Sequence, residues 1–65
     1  MKTFQTTANY TAYVHPKVGI IVQSTRKTGG VVMRQDHPQY ASYLEAFETA
    51  IDAHEADDLC KSLLG

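Results

Sequence analysis

The sequence predicts an α+β domain: a two- or three-stranded antiparallel β-meander packed on one long C-terminal helix, followed by a short terminal helix. Three observations predict it. Aromatic and β-branched residues crowd positions 9–35, punctuated by Pro16 and by Gly29-Gly30. Apolar residues then recur at helical spacing from Tyr40 to His54. Composition is that of an ordinary globular chain, with 43% hydrophobic and 20% charged residues. Its 65 residues hold one domain, 1–65, and a thin core with a folded surface of roughly 4,100 Å².

The first strand is Asn9 to Val14, rich in strand formers. Thr3 to Thr7 extends it or forms a bent lead-in. His15-Pro16-Lys17 ends it, because proline has no N–H for a ladder and restricts the residue before it. Val18 to Thr25 is the most apolar strand. Arg26-Lys27-Thr28-Gly29-Gly30 is the turn, where glycine can take positive φ. Val31 to Gln35 returns. Alternation places Ile20 and Val22 on one face and Ile21 and Gln23 on the other. Likewise Val31 and Met33 oppose Val32 and Arg34. Both faces are partly apolar, so one should meet the helix and the other a second subunit or a ligand.

The helix is expected to begin at Asp36-His37-Pro38-Gln39, where a carboxylate precedes a proline in the first turn. Ser42-Tyr43-Leu44-Glu45 is an alternative start. Tyr40, Leu44, Phe47, Ile51 and His54 fall within roughly 80° of arc and form the face expected on the sheet. Past His54 the stripe fails. A break is expected near Glu55-Ala56-Asp57, with Leu59, Cys60, Leu63 and Leu64 on the short terminal helix.

Charge divides at the same boundary. Residues 1–35 carry Lys2, Lys17, Arg26, Lys27 and Arg34 with no carboxylate, a sum of +5. Residues 36–65 carry Asp36, Glu45, Glu48, Asp52, Glu55, Asp57 and Asp58 against Lys61 alone, a sum of −6. A basic β half, 1–35, thus precedes an acidic helical half, 36–65, and the pattern raises the question of nucleic acid or a charged partner. On a continuous helix Glu45, Glu48, Asp52 and Glu55 line one flank. Like charges at that spacing cost about 0.2–0.5 kcal/mol per pair, and no cation is interleaved. The ladder is neutralised by the sheet, simply solvated, or used to contact a basic protein partner.

Other constellations are weaker. Lys17, Arg26, Lys27 and Arg34 could form a basic β-ribbon for nucleic acid. The order Arg-Lys-Thr-Gly-Gly does not fit the phosphate-binding Walker pattern. Tyr10, Tyr13, Tyr40 and Tyr43 read as core or rim residues. His15, His37, His54 and Cys60 lack the paired short spacing of structural zinc, so no metal and no cofactor is expected. Cys60 has no neighbouring base and no glycine-rich elbow, so no catalytic residue and no enzyme activity is expected. Ala46, Ala50 and Ala53 form a small-residue ridge that a helix can approach closely. With Leu59 and Leu63 it is the expected dimer interface; the alternative is that the terminal helix folds back on its own chain.

A single cysteine fits a reducing compartment, and no apolar run is long enough to span a bilayer. No apolar stretch of the kind a signal peptide needs follows Met1. The reading is a soluble, cytoplasmic protein without a membrane partner. Three strands followed by a helix resemble in outline the small arm-binding domains of phage-type integrases, without a shared motif. In size, charge and plainness the chain is similar to small accessory proteins of bacteriophages and mobile elements. That resemblance implies a stoichiometric regulator or inhibitor, including those that disarm host defence. The leading expectation is therefore a non-catalytic protein-binding regulator that presents Glu45, Glu48, Asp52 and Glu55 to a basic partner. The alternative is a nucleic-acid-binding regulator that uses the basic hairpin.

Overall fold

A computed structural model describes residues 2–64. It is an α+β fold: β1 (Lys2–Phe4), β2 (Tyr10–His15), β3 (Gly19–Ser24), β4 (Gly30–Arg34), α1 (Tyr40–Thr49) and α2 (Ala53–Leu64). The four strands form one antiparallel sheet in the order β1-β2-β3-β4. The sheet has one strand more than the sequence suggested. Thr3 and Phe4 do not lead into the next strand; they pair back on it, Thr3 opposite Tyr13 and Phe4 opposite Ala12. The chain reverses through a threonine-rich turn. There the Thr6 hydroxyl donates to the Tyr10 carbonyl at 2.6 Å, and the Asn9 amide donates to Thr7 Oγ1 at 3.2 Å.

Two glycines hold the hairpins. Gly19 has φ +134°, and a Cβ there would lie 2.1 Å from the Met33 carbonyl oxygen, so only glycine lets β3 and β4 approach. Gly29 supplies positive φ, +90°, at the end of the Arg26-Lys27-Thr28 turn.

Both helices cover one face of the sheet. The register puts Phe4, Ala12, Val22 and Val31 in one row of that face and Val14, Ile20 and Met33 in the next. Phe4, Ala12, Ile20, Val22 and Met33 are buried there with Phe47 of α1 and Ala56 and Cys60 of α2. The Phe4 and Phe47 rings stack, centroids 4.8 Å apart and 13° from parallel. α2 packs on β2, β3 and β4, whereas α1 packs on β3 and α2. The principal cover is therefore α2, contrary to the expectation of one long helix and a minor terminal one.

The helix boundaries explain that correction. α1 starts at Tyr40, not at Asp36 or Ser42. Pro38 disfavours helical geometry at His37. Residues 36–39 form a turn instead, with the His37 amide donating to the Arg34 carbonyl at 3.0 Å and the Tyr40 amide to the His37 carbonyl at 3.0 Å. α1 ends at Thr49, well before the expected break near Glu55-Ala56-Asp57, because Ala50 takes an extended ψ of 129°. Asp52 then caps α2: its Oδ1 accepts the Glu55 amide at 2.9 Å. Glu55 Oε2 reciprocally accepts the Ile51 amide at 2.8 Å, a close variant of the capping box. This break turns Ile51 out to 88% exposure and leaves His54 exposed as well, so neither belongs to the buried stripe. α2 instead buries its own stripe, Ala56, Leu59, Cys60, Leu63 and Leu64, at i, i+3, i+4, i+7 and i+8.

The accessible surface of 4468 Å² exceeds the roughly 4,100 Å² of size scaling, in keeping with a sheet covered on one face only. No described helix is long and apolar enough to cross a membrane.

Candidate functional site

Helix formation does not line up the acidic residues as a continuous helix would. Glu45 and Glu48 lie exposed on α1, Asp52 lies in the connection, and Glu55 lies in the first turn of α2. Asp52 and Glu55 are used as helix caps. Glu48 Oε1 sits 3.2 Å from Lys2 Nζ, an exposed ion pair between the helical layer and the edge strand. A pair this exposed contributes about 0–1 kcal/mol. Only Glu45 of the four has no such partner among the described residues.

The basic residues are divided as well. Arg26 and Lys27 occupy the β3–β4 turn. Lys17 lies in the β2–β3 turn and Arg34 at the end of β4, opposite Gly19. Turns at opposite ends of β3 stand roughly 20 Å apart at about 3.3 Å per strand residue. The four cations thus form two pairs and not one patch.

The alanine ridge is also broken. Ala46 is in α1, Ala50 is its C-cap and Ala53 opens α2. Tyr43, Ala46, Leu59 and Ser62 line a small crevice between the two helices. The Tyr43 hydroxyl lies 3.1 Å from Ser62 Oγ across it. Leu59 and Leu63 pack partly buried against their own chain's core. The fold-back arrangement thus provides the burial for which a dimer had been invoked.

Asp57, expected at a helix break, lies instead within α2. Its carboxylate accepts both the Thr7 amide, at 3.1 Å, and the Thr7 hydroxyl. These bonds fasten the β1–β2 turn to α2. Cys60 is fully buried, and its thiol is pushed up from 9.0 to about 11, first by burial and then by the nearby Asp57 carboxylate, against a smaller backbone hydrogen bond. Thiolate chemistry at neutral pH is suppressed accordingly. Among the described residues, no group of three His, Cys, Asp or Glu side chains comes together as a metal site.

Two surfaces stand apart from these structural roles. The first is the sheet face away from the helices. Thr3, Tyr13, Ile21 and Val32 lie side by side across all four strands on it. Val32 is 50% exposed, and Tyr13 and Ile21 are partly exposed. Thr11 and Gln23 flank this row on one side, His15 and Arg34 on the other. No carboxylate belongs to the sheet. Alternation in the sequence had signalled this second apolar face.

The second surface lies at the other side of the sheet. A cleft of about 620 Å³ opens between the β3–β4 turn and the last turn of α2. Tyr10, Ser24, Lys27, Thr28, Val31 and Lys61 line it, with Gly29, Gly30 and Leu64 completing the wall. Sequence reasoning missed it, because Lys61 stands 34 residues from Lys27 and reads as a lone cation in an acidic half. No family model, no curated protein and no solved structure matches the chain.

Proposed function

We propose that this protein is a non-catalytic binding module that works by protein–protein contact, with the open sheet face as its principal surface. The observation that supports the reading most is the row Thr3–Tyr13–Ile21–Val32, an aromatic and aliphatic stripe left uncovered while both helices crowd the opposite face. An aromatic and aliphatic centre with a polar and cationic edge has the anatomy of a contact surface. Because the face holds Arg34 and His15 but no carboxylate, its complement is an apolar patch with an acidic rim. Such a module acts stoichiometrically, as a small regulator or inhibitor of the kind phages and mobile elements carry. The exposed carboxylates, centred on Glu45 with Glu48, give the second protein-binding reading, toward a basic partner.

Affinity capture with matched variants tests the assignment. Val32→Glu and the double variant Glu45→Lys, Glu48→Lys replace exposed side chains, so each should keep the wild-type melting temperature within a few degrees. A partner retained by the wild type and the double variant but lost with Val32→Glu supports the sheet face. Loss only with the double variant moves recognition to the acidic side. The nucleic-acid alternative is checked by titrating duplex and single-stranded DNA at two salt concentrations. Binding that weakens steeply with salt, with a slope set by Lys and Arg contacts to phosphate, would displace the protein-binding reading.

A further inference from the structure

We infer that the cleft between the β3–β4 turn and α2 is a binding site for a small organic anion, a phosphate or carboxylate group carried on a flat apolar body. The cleft lies on the covered side of the sheet, so the inference does not rest on the open face. Its charge is one-sided. Among the described residues Lys27 and Lys61 line it and no carboxylate side chain does. Lys61 is the informative residue. It follows Asp57 and Asp58 by four and three residues, the spacing at which a helix forms ion pairs. Among the described residues it pairs with neither, and Asp57 is engaged with Thr7 instead. The single cation of the acidic half therefore faces the one cation of the hairpin turn that shares its cleft. The carbonyl end of α2 contributes about half a negative charge, which one ammonium offsets. Among the described lining residues a positive charge is left for a ligand to neutralise.

The remaining lining defines the rest of the ligand. Ser24 and Thr28 bring hydroxyl groups able to donate to an anionic oxygen. Tyr10 offers a half-buried ring, and Val31 and Leu64 offer aliphatic contact. A volume of about 620 Å³ falls within the range of small-molecule sites. Charge at one place and a ring with aliphatic walls at another select an anion with a body, not a bare ion.

Titration of ¹⁵N-labelled protein with phenyl phosphate, benzoate and inorganic phosphate decides the matter. The expected result is saturable shifts at Tyr10, Lys27, Gly29 and Lys61 with at least one aromatic anion, at least about tenfold tighter than with inorganic phosphate. The tighter of the two aromatic anions then names the head group. Lys27→Gln and Lys61→Gln, both at exposed positions, should each weaken binding about tenfold, while Lys17→Gln, at the far end of the sheet, should not. Three results would overturn the proposal: no saturable shift at millimolar ligand, inorganic phosphate binding as tightly as the aromatic anions, or equal weakening by Lys17→Gln.

Discussion

Ile20 and Ile21 are consecutive residues of one strand with the same side chain. Ile20 is wholly buried beneath the helices, and Ile21 is partly exposed on the open face. The two sides of the sheet differ in the same way along every strand. One carries Phe4, Ala12, Val22 and Met33 into the core; the other carries Thr3, Tyr13, Gln23 and Val32 to the surface. The difference teaches that strand parity, and not hydrophobicity, assigns a residue of this meander to stability or to contact. The covered side stabilises the fold, and the open side is free to change what the protein touches.

The largest test of that division is Phe47→Ala. It removes the ring stacked on Phe4 and leaves a cavity under the helices, which should cost about 3–5 kcal/mol, most of the stability of so small a domain. Thermal unfolding close to wild type would mean the covered side is not the core. Next comes the pair Ile20→Ala and Ile21→Ala. The first should cost about 2–5 kcal/mol, and the second about 1 kcal/mol or less. Equal losses in denaturant unfolding would erase the distinction between the faces.

Cys60 sharpens the comparison through pH. Its folded thiol is held at about 11 against an ordinary value of 9.0, so the native state keeps a proton that the unfolded state gives up. The resulting stabilisation is fully present below about pH 9 and fades as pH rises toward 11. Melting curves across that window should fall more steeply for the wild type than for Cys60→Ala, which lacks this titration. Disulfide-exchange reagents should modify the thiol slowly until the protein unfolds. The smallest effect belongs to Ile51→Ala. At 88% exposure the side chain holds nothing together, and stability should stay within about 0.5 kcal/mol.

That last substitution marks where the sequence misleads. The meander was legible within a residue at each strand, because Pro16 and Gly29-Gly30 punctuate it and β-branched residues fill it. β1 was not, since a three-residue strand with a single apolar side chain, Phe4, has no readable alternation. Ile51 continued the stripe of Leu44 and Phe47 at helical spacing, and only the Asp52–Glu55 cap shows why the helix ends first. Those two carboxylates fitted a like-charged ladder as well as a cap, and spacing alone could not separate the two. The helical half therefore kept its periodicity but changed its partition, from one long helix and a short one to helices of 10 and 12 residues. Of the candidate surfaces, the open face was visible as alternation. The cleft was not, because it joins side chains from opposite halves of the chain.

The bonds between Thr7 and Asp57 join residues 50 positions apart. Every strand pairing, by contrast, is between neighbours in the chain. Hairpins of that kind close small loops and form quickly, but a sheet with one unburied face has little to hold it. Commitment must then wait for α2, which supplies Ala56, Cys60 and the carboxylate that secures Thr7. During synthesis the strands would leave the ribosome early and stand unprotected until the second helix follows. Any fragment that stops at α1 should behave as a transient, protease-sensitive ribbon. Substitutions in the β2–β3 hairpin and loss of the Asp57 carboxylate should therefore both slow folding.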